Sequence, residues 1–285
     1  MNEVFYENKV ITKRNFVADI CFDYFNKRIR IDDYRGNVES MLDYINQVST
    51  DKRFTKFIIK TRDEDYFTLQ LHGFVKEAEV TNYFHGNNMS FYTKYNDNLR
   101  RNSDFWIEED EIVQKIVLSP NKWNKPDLQD NYTMRIATEK DADALAGLYK
   151  QVFQIYPTPL DQPDYVAKSI KEDTIFCVII HNGQIVSAAG AELNERYYNA
   201  ELTNCATLPS YRKHGWMKHL LLELESELIK KSIYCSYTIA RSRSYGMNAA
   251  FHQLGYRYTG RLTNNCYIFD KIEDMNVWVK NLADK

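Results

Sequence analysis

The 285-residue chain is 44% hydrophobic and 14% aromatic, the composition of a globular protein with a real core, and is long enough for two modest domains. Its 37 basic and 39 acidic residues leave a formal net charge of −2, so nothing sequence-wide calls for nucleic acid or an anionic membrane as partner. No run reaches the ~20 apolar residues of a membrane helix, and the polar N-terminal stretch has no signal-peptide core. The five cysteines (Cys21, Cys177, Cys205, Cys235, Cys266) show neither a C-x-x-C pair nor metal spacing. The expectation is a cytoplasmic protein with free thiols and no metal.

In chain order, residues 17–25 and 28–32 read as strands. A helix follows with Val38, Met41, Leu42, Ile45 and Val48 on its inner face. A strand over 57–61, a helical turn over 67–71 and strands over 79–84 and 89–95 complete the N-terminal part. A polar segment with Pro120 and Pro126 then separates an N-terminal domain, 1–130, from a C-terminal one, 131–285. Beyond it, 132–136 reads as a strand, and Thr138 with Asp141 as a capping box opening a helix that buries Leu145, Leu148, Tyr149 and Val152. Asn182-Gly183 turns a hairpin between strands 175–180 and 185–193. A strand over 200–207, a helix over 217–228, a strand over 233–240, a short helix over 246–254 and a strand pair from Tyr256 follow. Ile272, Met275, Val279 and Leu282 have the spacing of an amphipathic C-terminal helix.

Leu71-His72-Gly73-Phe74 followed by Val80-Thr81-Asn82 has the spacing of Gln253-Leu254-Gly255-Tyr256 followed by Leu262-Thr263-Asn264. Two explanations stand: the N-terminal domain echoes the second half of the C-terminal one, or short strand-turn-helix units look alike by chance.

The segment Arg212-Lys213-His214-Gly215-Trp216-Met217 stands between a strand and a helix. A tight turn feeding a helix N-terminus directs backbone N–H groups and the positive end of the macrodipole at one point, which suits a pyrophosphate. Gly215 allows a positive φ and a close approach, and Arg212 and Lys213 add charge.

Pro209 followed by Arg212-x-x-Gly215-x-Met217 resembles the Q/R-x-x-G-x-G/A motif of the GNAT acetyltransferases, with Met217 departing from the usual Gly or Ala. Asn248 and Phe251 before Leu254-Gly255-Tyr256 are similar to the family's N-x-x-[YF]-x-x-x-G-[FY] close. The resemblance implies an α/β (α+β) fold, a mixed and mostly antiparallel sheet flanked by helices. A smaller α/β domain, read as a degenerate GNAT-like half without a cofactor loop, precedes it. It implies acetyl-CoA as co-substrate, held by Arg212 to Met217, and Glu201 as the general base that takes a proton from the acceptor amine. The backbone of Cys205, Ala206 and Thr207 would pair with the pantetheine arm, and Asn248 would contact it. Phe251 stands where many members carry a Tyr that protonates the leaving thiolate, which leaves Tyr245, Tyr256 or water for that step.

Beyond the superfamily, Ala240-Arg241-Ser242, Gly260 to Ile268, Ile272 to Trp278, Tyr156-Pro157-Thr158-Pro159 and Phe22 to Arg28 resemble the bacterial and archaeal β-lysine N6-acetyltransferases. That resemblance implies β-lysine as acceptor and N6-acetyl-β-lysine, a compatible solute of osmoadaptation, as product. Glu192, Glu201, Asn264 and Asn265 would wall the acceptor site, and Arg241 or Arg243 would meet the carboxylate. Glu273 reads as an acidic residue at a capped helix start. Other small amines (lysine, a polyamine, an aminoglycoside), a non-catalytic acyl-CoA-binding role and a homodimer remain open.

Overall fold

The computed structural model describes residues 5–49, 54–268 and 271–284. The first half runs β1 (Tyr6–Thr12), β2 (Phe16–Asp23), β3 (Arg28–Gly36), α1 (Val38–Val48), β4 (Lys56–Thr61), α2 (Tyr66–Leu71), β5 (Val75–Phe84) and β6 (Asn87–Tyr95). Two helices, α3 (Asn98–Arg101) and α4 (Trp106–Val117), lead to β7 (Tyr132–Ile136), α5 (Ala142–Val152) and α6 (Pro163–Glu172). The remainder is β8 (Thr174–His181), β9 (Gln184–Asn194), β10 (Asn199–Thr207), α7 (Trp216–Lys230), β11 (Cys235–Arg241), α8 (Tyr245–Gln253), β12 (Arg257–Ile268) and β13 (Lys271–Asn281). No helix among the described residues is long and apolar enough to cross a membrane.

The strands form two sheets, ordered β1-β2-β3-β4-β6-β5 and β12-β13-β11-β10-β9-β8-β7. Each sheet has one parallel pair, β3 with β4 and β10 with β11, joined through α1 and α7 respectively, and is otherwise antiparallel. With β7 set aside, the second sheet has the strand order of the first. The details keep step as well. Lys27 and Tyr198 both have φ of 52° in the two β-hairpins, and Asn82 and Asn264 have φ of 63° and 44°. The β5–β6 and β12–β13 ladders shift register at matching places, at Lys76/Ala78 and Val80/Phe84 in one and at Tyr258/Gly260 and Leu262/Cys266 in the other.

The halves meet β5 against β12. A Cβ on Gly260 would lie 2.1 Å from the Glu77 carbonyl oxygen and 2.7 Å from the Ala78 Cα, so only glycine fits there. Ala78 is the counterpart of Gly260, so the contact relates like to like about an approximate two-fold. One core spans the junction, with Ile58, Val80 and Phe91 packed on Tyr237, Leu262 and Val277. Buried cations tie it. Lys56, wholly enclosed, donates to the Thr263 carbonyl (2.7 Å) and pairs with Glu77 (3.0 Å), and Arg28 donates to the Asn265 carbonyl (3.1 Å).

The expected C-terminal helix is corrected to strand β13, which pairs with both β11 and β12. Its residues Glu273 to Val279 are all buried, so the apolar spacing marks no surface stripe, and the run Val277-Trp278-Val279 suits a central strand. Glu273 is accordingly a buried strand residue, not a helix start. Strand β1 and helices α4 and α6 had not been expected; Ile116 of α4 lies in the core of the C-terminal half.

Candidate active site

Strands β10 and β11 pair only over Asn199–Glu201 with Cys235–Tyr237. Past Glu201, β10 bulges between Thr203 and Ala206, with Asn204 at a φ of 55°, and the strands part. A cavity of about 640 Å³ fills the gap on one side, running from the 212–217 loop to Phe251 with Cys205 and Thr207 on its wall. A second, of about 320 Å³, opens on the other side between the halves, with Glu192, Glu201 and Asn265 facing Arg30, Lys60 and Tyr83. Tyr156, Thr203, Asn204, Ile239, Ile268 and Met275 line both, so the cavities meet at the bulge.

The loop ahead of α7 is shaped for an anion. Lys213 and Gly215 have φ of 71° and 74°, and Gly215 occupies the cap position, where it has no side chain to bond the first-turn N–H groups. Those donors, the helix dipole and the exposed Arg212 and Lys213 converge at the mouth of the larger cavity. Arg212 Nε donates to the Thr207 carbonyl at 3.1 Å, which holds the loop against β10. Trp216 is buried, with the His214 ring stacked on it at 4.5 Å. Met217 packs on the core beneath, so the departure from Gly or Ala is absorbed by apolar contact.

Glu201 stands directly across the β9–β10 ladder from Glu192. Burial raises both carboxyls; the charge of Glu201 adds to the effect on Glu192, which is pushed up to about 7, while Lys60 and Arg30 hold Glu201 partly down. A carboxyl that burial raises, set beside a second one, is suited to accept a proton from an ammonium. Asn204 Nδ2 donates to Glu192 (3.2 Å), and Asn204 in turn accepts from the Tyr156 hydroxyl (3.2 Å) at Oδ1 and from Tyr149 (2.7 Å) at its carbonyl.

Phe251 is fully buried and lines the larger cavity, where it offers no proton. Tyr256 lies behind the wall, its hydroxyl 2.7 Å from that of Ser236, and Tyr245 is half-exposed and lines neither cavity. Tyr156 and Thr203 are the hydroxyl-bearing residues that line both cavities, and of the two the Tyr156 phenol is the more acidic proton donor. Ala206 is buried and pairs with Ala188, leaving Cys205 and Thr207 on the cavity wall.

The expected pantetheine contact of Asn248 is corrected. Its Nδ2 donates to the carbonyls of Arg241 (2.9 Å) and Ser244 (2.8 Å), and its Oδ1 accepts from Asn276 (2.9 Å) and Trp278 (2.8 Å). A fully buried amide with those bonds fastens the β11–α8 turn to β13 and has nothing left for a ligand.

Arg241 borders the larger cavity and forks onto Glu273 (2.6 and 2.7 Å), while Arg243 turns to Glu108 (3.2 Å) and the Phe105 ring. Neither lines the cavity that holds Glu201. Asn264 spends its amide on the carbonyls of Arg100 and Asn102 (3.0 and 2.9 Å). Asn265 does line that cavity, and its Oδ1, enclosed by protein, has no hydrogen-bond partner among the described residues. Arg30 and Lys60, which also line this cavity, were not singled out in the sequence; carrying the internal repeat through to the β-hairpins would have pointed to Arg30 as the counterpart of Glu201. Among the described residues no group of His, Cys, Asp or Glu is arranged to hold a metal.

The pattern of the acetyltransferase (GNAT) family matches residues 142–256. The chain is 35% identical to N-acetyltransferase YodP of Bacillus subtilis, over 96% of this chain and 99% of that protein. It is 34% identical to beta-lysine N(6)-acetyltransferase of Methanosarcina mazei, over 88% of this chain and 100% of that one. Among solved structures, yncA of Salmonella typhimurium with its cofactor acetyl-CoA is similar at a TM-score of 0.47 and 17% identity, covering 55% of this chain and 96% of that one.

Proposed function

The chain belongs to the GNAT family of acetyltransferases, and from that premise we propose that it acetylates the N6 amine of β-lysine, giving N6-acetyl-β-lysine as a compatible solute. The observation that carries this reading is the meeting of two cavities at the β10 bulge, one ending at a phosphate-type loop and the other holding Glu201. The loop and the parted strands take the acetyl donor and aim its thioester at the bulge. Glu201, beside Glu192, draws the ammonium in and takes its proton, since an alkyl amine is almost wholly protonated near neutrality. The freed nitrogen attacks the thioester carbon, the C–S bond breaks, and the Tyr156 hydroxyl supplies the proton to the thiolate; the extra proton on the new amide nitrogen returns to the Tyr156 oxygen, and Glu201 releases its own proton to solvent. The N-terminal half, which repeats the strand order without the loop, serves as a degenerate GNAT-like lid on the acceptor cavity. The five cysteines, all unpaired, suit the reducing cytoplasm in which we place the reaction.

Thiol release from acetyl-CoA, measured with β-lysine beside lysine and a polyamine, tests the reading. β-Lysine should give the highest kcat/KM, and Glu201→Gln should lower kcat by roughly 10³ with little change in the KM for acetyl-CoA. Folded protein that releases no thiol with any amine overturns it.

A further inference from the structure

The two β-hairpins that open the parallel pairs are equivalent residue for residue. Asp23 pairs with Arg28 and Asn194 with Asn199, and Lys27 and Tyr198 share the same positive φ. Arg30 therefore stands in the N-terminal half where Glu201 stands in the C-terminal half, and its ladder partner Ile58 matches Tyr237. Both strands present these residues to the same cavity. At the position where one half carries its carboxylate, the other carries a guanidinium.

We propose that Arg30, assisted by Lys60, binds the carboxylate of the acceptor, so that the N-terminal half selects amino acids over simple amines. The inference rests on the acetyl-transfer reading above. Arg30 Nε and Lys60 Nζ both bind the same oxygen of Asp32, at 2.7 and 2.8 Å, so one carboxylate faces two cations. The terminal nitrogens of Arg30 make no hydrogen bond to the described residues, and these are the pair that grips a carboxylate in parallel. Arg28, by contrast, is matched by Asp23 at 2.8 Å and committed to the Asn265 carbonyl. No ion pair joins Arg30 or Lys60 to Glu192 or Glu201 across the cavity. The cavity thus has an acidic wall for the reacting amine and a wall of surplus positive charge opposite. An amino acid with a reacting amine matches both walls, whereas a diamine leaves the cationic wall unanswered.

The test compares β-lysine with 1,4-diaminopentane, which lacks only the carboxyl group, both as acceptors and as ligands in calorimetry. Wild type should favour β-lysine in kcat/KM by roughly 10²-fold. In Arg30→Gln that ratio should fall towards one while the KM for acetyl-CoA holds, and Arg30→Lys should recover part of it. Should Arg30→Gln not fold, Lys60→Met carries the test, with a fall of about tenfold expected. A wild type without preference, or a ratio that Arg30→Gln leaves intact, overturns the inference while acetyl transfer stands. If no amine is acetylated, the reaction reading fails by itself. In that case calorimetric binding of β-lysine that Arg30→Gln abolishes still supports the carboxylate clamp, and absence of binding to wild type overturns it.

Discussion

Helices α1 and α7 occupy the same place in the two halves, each following the strand that opens a parallel pair, yet they begin in opposite ways. Gly36 leads almost directly from β3 into α1, and Asn37 closes its N-terminus by accepting from the Ser40 N–H at 2.8 Å. Before α7 the chain inserts the Arg212–Gly215 loop, and the cap residue is a glycine with no side chain to offer. One helix end is satisfied by its own protein and the other is left for an anion. The same exchange occurs in the sheets, where Arg30 answers Glu201. A shared topology therefore leaves the chemistry to a short insertion, a cap and one charge reversal.

Each of these contrasts can be broken. The largest effect should follow from releasing the halves. Lys56→Met removes the buried partner of Glu77 and the bond to Thr263, and should cost about 3–5 kcal/mol in denaturant titration at neutral pH. Adding Glu77→Gln should restore much of that loss, because the stranded carboxylate is then gone. Next, Gly215→Asp puts a carboxylate where the cap is vacant. It should raise the KM for acetyl-CoA by roughly 10²-fold and change kcat little, making α7 behave like α1.

The smallest effect concerns the Glu192–Glu201 pair. Wild-type kcat/KM should rise as pH increases through about 7, where Glu192 loses its proton, and Glu192→Gln should abolish that limb and leave only the titration of Glu201. For stability the sign is the reverse of a salt-bridged carboxylate. The folded value lies above the ordinary 4.5, so Glu192 costs stability as pH rises from there through about 7. Glu192→Gln should then melt higher than wild type at about pH 8 and equal it at about pH 4.

The features legible in the chain were those that local chemistry decides. Thr138 and Asp141 form the capping box, with the Thr138 N–H bonding Asp141 at 2.8 Å, and Asn182-Gly183 turns the hairpin with both residues at positive φ. The 212–217 loop could be read because a glycine, two cations and a following helix lie within one short span, and Glu201 because it sits on the strand just upstream. The rest was decided by tertiary structure. Strand β13 has helix-like spacing because it is buried on both faces, and burial on both faces is a property of its neighbours. Asn248 fits a motif, but its four partners come from the β11–α8 turn and from β13. Arg30 and Glu201 are remote in sequence and become opposing walls of one cavity only when β5 packs on β12 at Gly260. The sequence by itself thus determined the loop of positive-φ residues that opens α7 and the carboxylate on the strand ahead of it. Only the packing of one half on the other decided what faces that carboxylate, because charges on separate sheets acquire a relation to each other only through the contact between the sheets.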